Sequence, residues 1–136
     1  MSQAVLYPGA TLGVLGGGQL GAMFATAAVR LGYRVAVWDP DADAPAHRFA
    51  DHSLTAPFSD ESAAESWSQT VHAVTLEWEN VPATLCERLA HSLPVRPSAA
   101  VLRVIQDRIT QKHCLQSQGF PVPPFRVLNE PGQLAG

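Results

Sequence analysis

The sequence predicts an α/β fold organised around a doubly wound parallel sheet, and three observations predict it. A short apolar run, Thr11–Leu15, enters the glycine cluster Gly16-Gly17-Gly18 and gives way to helical periodicity. Short β-rich runs then alternate with helix-compatible stretches as far as about residue 106. Proline, glycine and capping residues punctuate the junctions between them.

The elements follow in order. Thr11–Leu15 reads as a buried strand entering a tight turn. After it, Leu20, Met23, Phe24, Ala27, Ala28 and Leu31 recur at helical spacing, and Gly32 stands where a left-handed helix stop is wanted. Arg34–Trp38 is the second strand, closed by Asp39-Pro40 because proline has no N–H to donate. Residues 41–50 form an acidic, alanine-rich loop or one short helix, and residues 53–56 a third strand before Pro57. Ser59 is placed to cap a helix whose first turn holds Asp60 and Glu61, acids favoured by the amide dipoles there. Ala73–Leu76 is the fourth strand, residues 83–93 a helix opened at Pro82 or Ala83, "PVRP" a minimal fifth strand, and Ser98 the cap of one more helix.

After that the composition shifts. "QDRITQKHCLQSQG" is a polar amphipathic helix with Ile109 and Leu115 on one side and Gly119 as its stop, and the remainder is rich in proline and glycine. The expected organisation is a flexible N-terminal arm over 1–10, a core domain over 11–106, and a bridging helix with the start of a further domain over 107–136. The sequence therefore reads as a fragment of something longer.

Bulk properties narrow the function classes. The chain has 136 residues, 46% hydrophobic and 15% charged, which is ordinary for one globular domain with a core. Net charge is −3 and the nine Lys and Arg are scattered, so no basic stripe points to nucleic acid. No apolar run reaches the length of a membrane span, and no targeting signal precedes the first strand. Cys86 and Cys114 lack metal-ligand or redox spacing and read as small core or half-buried thiols suited to a reducing cytoplasmic setting.

In a parallel sheet the ligand lies at the carboxyl ends of the strands. The first strand ends in Gly16-Gly17-Gly18-Gln19-Leu20, whose glycines let an anion approach main-chain N–H groups at a helix start; a close-packing turn is the plainer alternative. The second ends in Asp39, 23 residues after Gly16, either an acid for a nucleotide ribose or a turn residue bonded to its own backbone. The fourth ends in "TLEWENVP". Alternation would send Glu77 and Glu79 to one side, where carboxylates suit the vicinal hydroxyls of a ribose better than they suit a phosphate. Arg108 and Lys112, four apart, could share a face as a cationic rung for a polyphosphate, or Arg108 could simply pair with Asp107.

Two readings compete on these residues alone. Gly16-x-Gly18-x-x-Gly21 with Asp39 fits an NAD(P)-binding Rossmann domain of an oxidoreductase, which explains neither "TLEWENVP" nor "QDRITQK". A non-catalytic nucleotide-binding module is the other. Taken in order, however, "GGGQLG", "EWENVP", "QDRITQK" and "GFPVPPFRVL" make residues 12–128 resemble the N-terminal region of the N5-carboxyaminoimidazole ribonucleotide synthases, ATP-grasp ligases of purine biosynthesis.

That resemblance implies a Rossmann-like pre-ATP-grasp domain whose glycine loop serves a phosphoribosyl substrate. It implies 5-aminoimidazole ribonucleotide, bicarbonate and ATP as partners, ATP and Mg2+ as cofactors held mainly outside these residues, and, with the apolar helices, a homodimer. Residue by residue, Gly16, Gly17, Gly18, Gln19 and Leu20 match the substrate loop, Glu77 the carboxylate near the ribose, Glu79 its neighbour, and Arg108 an arginine that reaches ATP. Lys112 lies in the motif with no assigned role. Ala22 departs from the pattern, standing where family members often carry arginine. Without an ATP-grasp domain these residues alone are expected to be catalytically inactive.

Overall fold

A computed structural model of the chain describes residues 5–128 and 130. Five parallel strands form one sheet: β1 (Thr11–Leu15), β2 (Arg34–Trp38), β3 (His52–Leu54), β4 (Ala73–Leu76) and β5 (Val95–Arg96), in the order β3-β2-β1-β4-β5. The helices are α1 (Gln19–Arg30), α2 (Glu61–Ser68), α3 (Ala83–Leu89), α4 (Ala99–Gln106) and α5 (Arg108–Ser117), with a short 3-10 helix at Pro45–Phe49. The expected doubly wound α/β sheet is the one observed. None of the helices among the described residues is long and apolar enough to cross a membrane.

Strand alternation divides the core into two layers. Val14, Val35 and Val37 face α1, packing with Ala25, Ala28 and Ala46. Leu15, Ala36, Trp38 and Val74 face the other way, toward Trp67 of α2, Leu85 and Leu89 of α3, and Leu102 of α4. Trp38 is wholly buried, its ring 5.7 Å from Phe58 and 5.5 Å from Trp67, and its indole N–H donates to the Ala56 carbonyl at 2.8 Å. That bond removes the usual cost of burying a polar indole. Cys86 lies in the same layer, and burial pushes its thiol up to about 11, so it behaves as a small hydrophobe; Cys114 on α5 is exposed.

Several boundaries and faces differ from expectation. Most large side chains of the α1 stripe do not face the sheet: Leu20, Met23 and Leu31 are exposed, whereas Gly21, Ala25 and Ala28 are buried. The cause is distance. A Cβ at Gly21 would stand 2.5 Å from the Gly16 carbonyl oxygen, so the start of α1 lies too close to the end of β1 for a side chain there, and of the large stripe residues only Phe24 packs, half-buried, against the core. The cap of α2 is Asp60 instead of Ser59, its carboxylate accepting from the Ala63 N–H at 2.9 Å, which together with the Ser62 hydroxyl holds it below the usual carboxylate range. Helix α3 ends at Leu89, short of residue 93, and β3 begins one residue early, at His52.

The expected free arm is tied down over the part that can be described. Gly9 N–H donates to the Gly32 carbonyl at 2.7 Å, Arg34 N–H to Ala10 at 3.0 Å, and the Tyr33 hydroxyl to Leu6 at 3.0 Å. Residues 1–4, and the end of the chain from 131, lie outside the described residues. Helix α5 buries none of its side chains.

Close packing on β1 makes one position a direct test. A Cβ at Gly13 would stand 2.6 Å from Cη2 of Trp67, a rigid ring locked in the core. Gly13→Ala is expected to destabilise the fold by about 1–3 kcal/mol through overpacking, read from urea unfolding.

Candidate functional site

Sheet register assembles the site. Leu15 pairs with Trp38 on one side and with Leu76 on the other, so the next residues, Gly16, Asp39 and Glu77, emerge side by side. The ladder runs one step further: Gly16 N–H donates to Trp38 at 3.0 Å, Glu77 N–H to Leu15 at 3.0 Å, and Asp39 N–H to Leu54 at 3.1 Å. Because chain direction across the sheet reverses between β1 and β4, a crevice opens at these carboxyl ends. It is a cavity of about 370 Å³ lined by residues 16 and 18–21 together with Asp39, Glu77 and Trp78. A larger groove of about 620 Å³ lies between α2 and α3, away from the strand ends, and its Glu61 and Arg88 are paired with each other. The smaller cavity is the candidate site because the switch point and the open polar groups coincide there.

The glycines do different work. Gly16 has φ +102°, a backbone conformation that disfavours side chains, and a Cβ there would meet Cβ of Trp78 at 3.1 Å. At Gly17 a Cβ would stand 2.8 Å from that of Ala44. Close packing thus accounts for Gly16, Gly17 and Gly21. It does not account for Gly18, whose φ of −65° any residue can adopt and whose missing Cβ points into open space. Gly18 is the N-cap of α1, yet no side chain caps that helix. No hydrogen bond among the described residues engages the N–H groups of Gly18, Gln19, Leu20 or Gly21, which leaves a row of donors at the positive end of the helix.

The carboxylates also divide by role. Asp39 Oδ2 accepts from the Gly17 N–H at 2.6 Å and Oδ1 from the Asp41 N–H at 2.8 Å, so both oxygens are engaged by backbone. Of the two sequence readings, this geometry is that of the turn residue, extended to clamp the glycine loop. Glu77 is half-buried on the opposite wall, with no protein hydrogen bond to its carboxylate among the described residues, and burial pushes that carboxyl above the usual carboxylate range. Glu79 does not line that cavity. Strand β4 ends at Leu76, so alternation no longer governs residue 79, and its exposed side chain lines an adjoining groove of about 200 Å³ that it shares with Glu77, Trp78, Pro97 and Leu102.

Residues after the sheet stay outside the cavity. Arg108 is exposed and donates to Gln111 Oε1 at 2.7 Å; Asp107 caps α5 through the Thr110 N–H at 2.6 Å and does not pair with Arg108. Lys112, four residues on from Arg108 along the same helix, lies with its ammonium 4.7 Å from the Phe125 ring centroid. Sequence reasoning missed two contributors. Trp78 walls the cavity and buttresses Gly16, and an unusually large aromatic inside an acidic turn was its signal. Gln106 bonds two carbonyls of the turn that carries Glu79, and nothing local marked it.

Comparison with known proteins decides the family. Residues 9–106 match the ribonucleotide synthetase pre-ATP-grasp domain. The chain belongs to that family. Among its relatives, N5-carboxyaminoimidazole ribonucleotide synthase of Brucella melitensis biotype 1 is 37% identical over 130 residues, 96% of this chain and 36% of that protein. N5-carboxyaminoimidazole synthetase of Staphylococcus aureus, crystallised with ADP, superposes with a TM-score of 0.85 at 36% identity, over 95% of this chain and 35% of that one. The Aspergillus clavatus enzyme in complex with ADP and 5-aminoimidazole ribonucleotide gives 0.83 at 34% identity, over 96% and 35%. The chain thus spans about a third of the length of the relatives it matches.

In this pre-ATP-grasp domain the loop chemistry can be separated from loop folding. Gly18→Ser supplies a preferred capping side chain at an unstrained position and is expected to raise stability by about 0.3 kcal/mol. Gly16→Ala is expected to cost about 1–2 kcal/mol, because the positive φ must be kept with a side chain present. Urea unfolding of the two variants checks both. Glu77 gives a pH signature. Its folded-state carboxyl titrates above the unfolded one, so its favourable contribution is complete at low pH and is lost as pH rises through the folded value. Glu77→Gln should therefore match the parent in thermal stability near pH 4 and exceed it at pH 7 to 8.

Proposed function

We propose that this chain is the ribonucleotide-binding part of an N5-carboxyaminoimidazole ribonucleotide synthase, holding 5-aminoimidazole ribonucleotide in the cavity at the β1/β4 switch point. One observation carries the reading: a row of open N–H groups at residues 18–21 and an unbonded, half-buried Glu77 carboxylate line the same cavity. A phosphate suits the first and the vicinal hydroxyls of a ribose suit the second. The ligand is then two-ended, with its anionic group on the helix and its hydroxyls on Glu77. Gly16, Gly17, Gly18, Gln19 and Leu20 form the phosphate side, and Glu79 stands outside as an outer carboxylate.

In the whole enzyme, ATP would transfer its γ-phosphoryl group to a bicarbonate oxygen, giving ADP and carboxyphosphate. The ribonucleotide amine then takes the carboxyl carbon, directly or as released carbon dioxide, with loss of inorganic phosphate and a proton. The residues of this chain bind and orient the amine-bearing substrate, which contributes through proximity. Among the described residues no group of three or more His, Cys, Asp or Glu is placed to hold a metal ion, and in this reading magnesium is held with ATP by the ATP-grasp domain. Arg108, on the helix that follows the sheet, is the residue proposed to reach ATP, with α5 and the segment after it as the bridge to that domain.

An NMR titration tests the reading. Adding 5-aminoimidazole ribonucleotide should shift the amides of residues 16–21 and 77–80, while NADH should leave them unmoved. Shifts at the glycines and Asp39 with NADH alone would overturn it. Glu77→Gln should weaken ribonucleotide binding about 10- to 100-fold, the loss of hydrogen bonds to a charged acceptor.

A further inference from the structure

The turn between β4 and α3 begins with Glu77 and Trp78, both walls of the cavity, and has few bonds of its own. Trp78, Glu79 and Asn80 are exposed, and within the turn the Val81 N–H reaches the Trp78 carbonyl only at 3.4 Å. Its far end is fixed by the Val81 side chain, which is wholly buried. What spans the middle is a side chain from elsewhere. Gln106, the last residue of α4, donates from Nε2 to the Glu79 carbonyl at 2.7 Å and to the Val81 carbonyl at 2.8 Å. Both acceptors are carbonyl oxygens, so only the amide-nitrogen end of the carboxamide fits, and both of its hydrogens are used.

We propose that Gln106 is a positioning residue: it latches the Glu77-to-Val81 turn so that Glu77 and Trp78 keep their places as walls of the cavity. The latch ties the turn to the joint where α4 passes through Asp107 into α5, since Asp107 caps the following helix. A carboxylate that is to accept ligand hydroxyls must be held at fixed distance from the glycine loop; the Glu77 N–H is tied to the Leu15 carbonyl at 3.0 Å, but the middle of the turn has too few bonds of its own to keep the Glu77 and Trp78 side chains in place. Gln106 contributes the missing restraint without touching the cavity, whose lining it does not join. The inference rests on the ribonucleotide reading of that cavity.

The test is Gln106→Glu in the full chain, with Gln106→Met as a second variant. The Glu side chain is isosteric but at neutral pH has no hydrogen to donate, and it sets a carboxylate against two carbonyl oxygens. Two readouts are made: hydrogen-exchange protection without ligand, and 5-aminoimidazole ribonucleotide affinity. Protection of the Val81 N–H is expected to fall at least about tenfold in both variants, while core strand amides such as Val14 and Val37 keep theirs. Affinity is expected to fall about five- to tenfold while the fold stays intact at the assay temperature. A uniform loss of protection across the sheet would assign Gln106 a merely structural role and overturn the proposal, as would unchanged protection at Val81. Unchanged affinity in the variants, beside normal binding by the parent, would refute the positioning role alone. Absent binding by the parent would refute the ribonucleotide reading itself, and the positioning role with it.

Discussion

The hydrogen bond from Gly17 N–H to the Asp39 carboxylate, 2.6 Å long, is the interaction on which the rest of the site depends. It joins the ends of the two central strands and fixes the direction in which the loop leaves β1. Because that direction is fixed, α1 starts where Gly21 comes close to the Gly16 carbonyl, and residues 18–21, whose N–H groups have no protein partner among the described residues, line the crevice. The same bond gives Asp39 a structural task that needs no ligand: one carboxylate oxygen accepts from the loop and the other from the Asp41 N–H.

Much of this was legible in the sequence because it is local. The glycine cluster, the Asp39-Pro40 stop and the alternation of short apolar runs with helical stretches are statements about neighbouring residues, and the strands and helices formed in the order those statements placed them, with some boundaries shifted by a few residues. What could not be read was distance across the fold. The apolar stripe of α1 has proper helical spacing, but which side of it faces inward was settled by how near the helix lies to Gly16, a contact between residues five apart through the loop. Likewise, alternation paired Glu77 with Glu79 only on the assumption that the strand continues, and it ends at Leu76. The latch from Gln106 to the turn spans 25 and 27 residues, and no local pattern can announce it.

The electrostatics of the cavity follow from this division. A site with Asp39 and Glu77 on its walls is a poor place for an anion unless the negative charges are directed elsewhere. Asp39 turns its charge onto backbone N–H groups, which leaves it neutralised in part by the loop it holds. Glu77 stands on the opposite wall, where burial already opposes its ionisation. A ligand hydroxyl donating to Glu77 would relieve that strain and stabilise the ionised form, so binding and deprotonation favour each other. In the proposed reading the open amides take the anionic end of the ligand and Glu77 its hydroxyl end.

Under the proposed function, Gly18 is the position where the demands of folding and of binding part company. Elsewhere in the loop glycine is enforced by packing: a positive φ at Gly16, a neighbouring Cβ at Gly17, a carbonyl oxygen at Gly21. At Gly18 the fold has no such requirement, and a helix would be better capped by serine, threonine, asparagine or aspartate. A capping side chain, however, works by occupying the amides of the first turn, the same groups a phosphate needs. Leaving the helix uncapped forgoes a little stability and keeps those amides available, a trade that the proposed phosphate role would account for and that a turn serving packing alone has no need of.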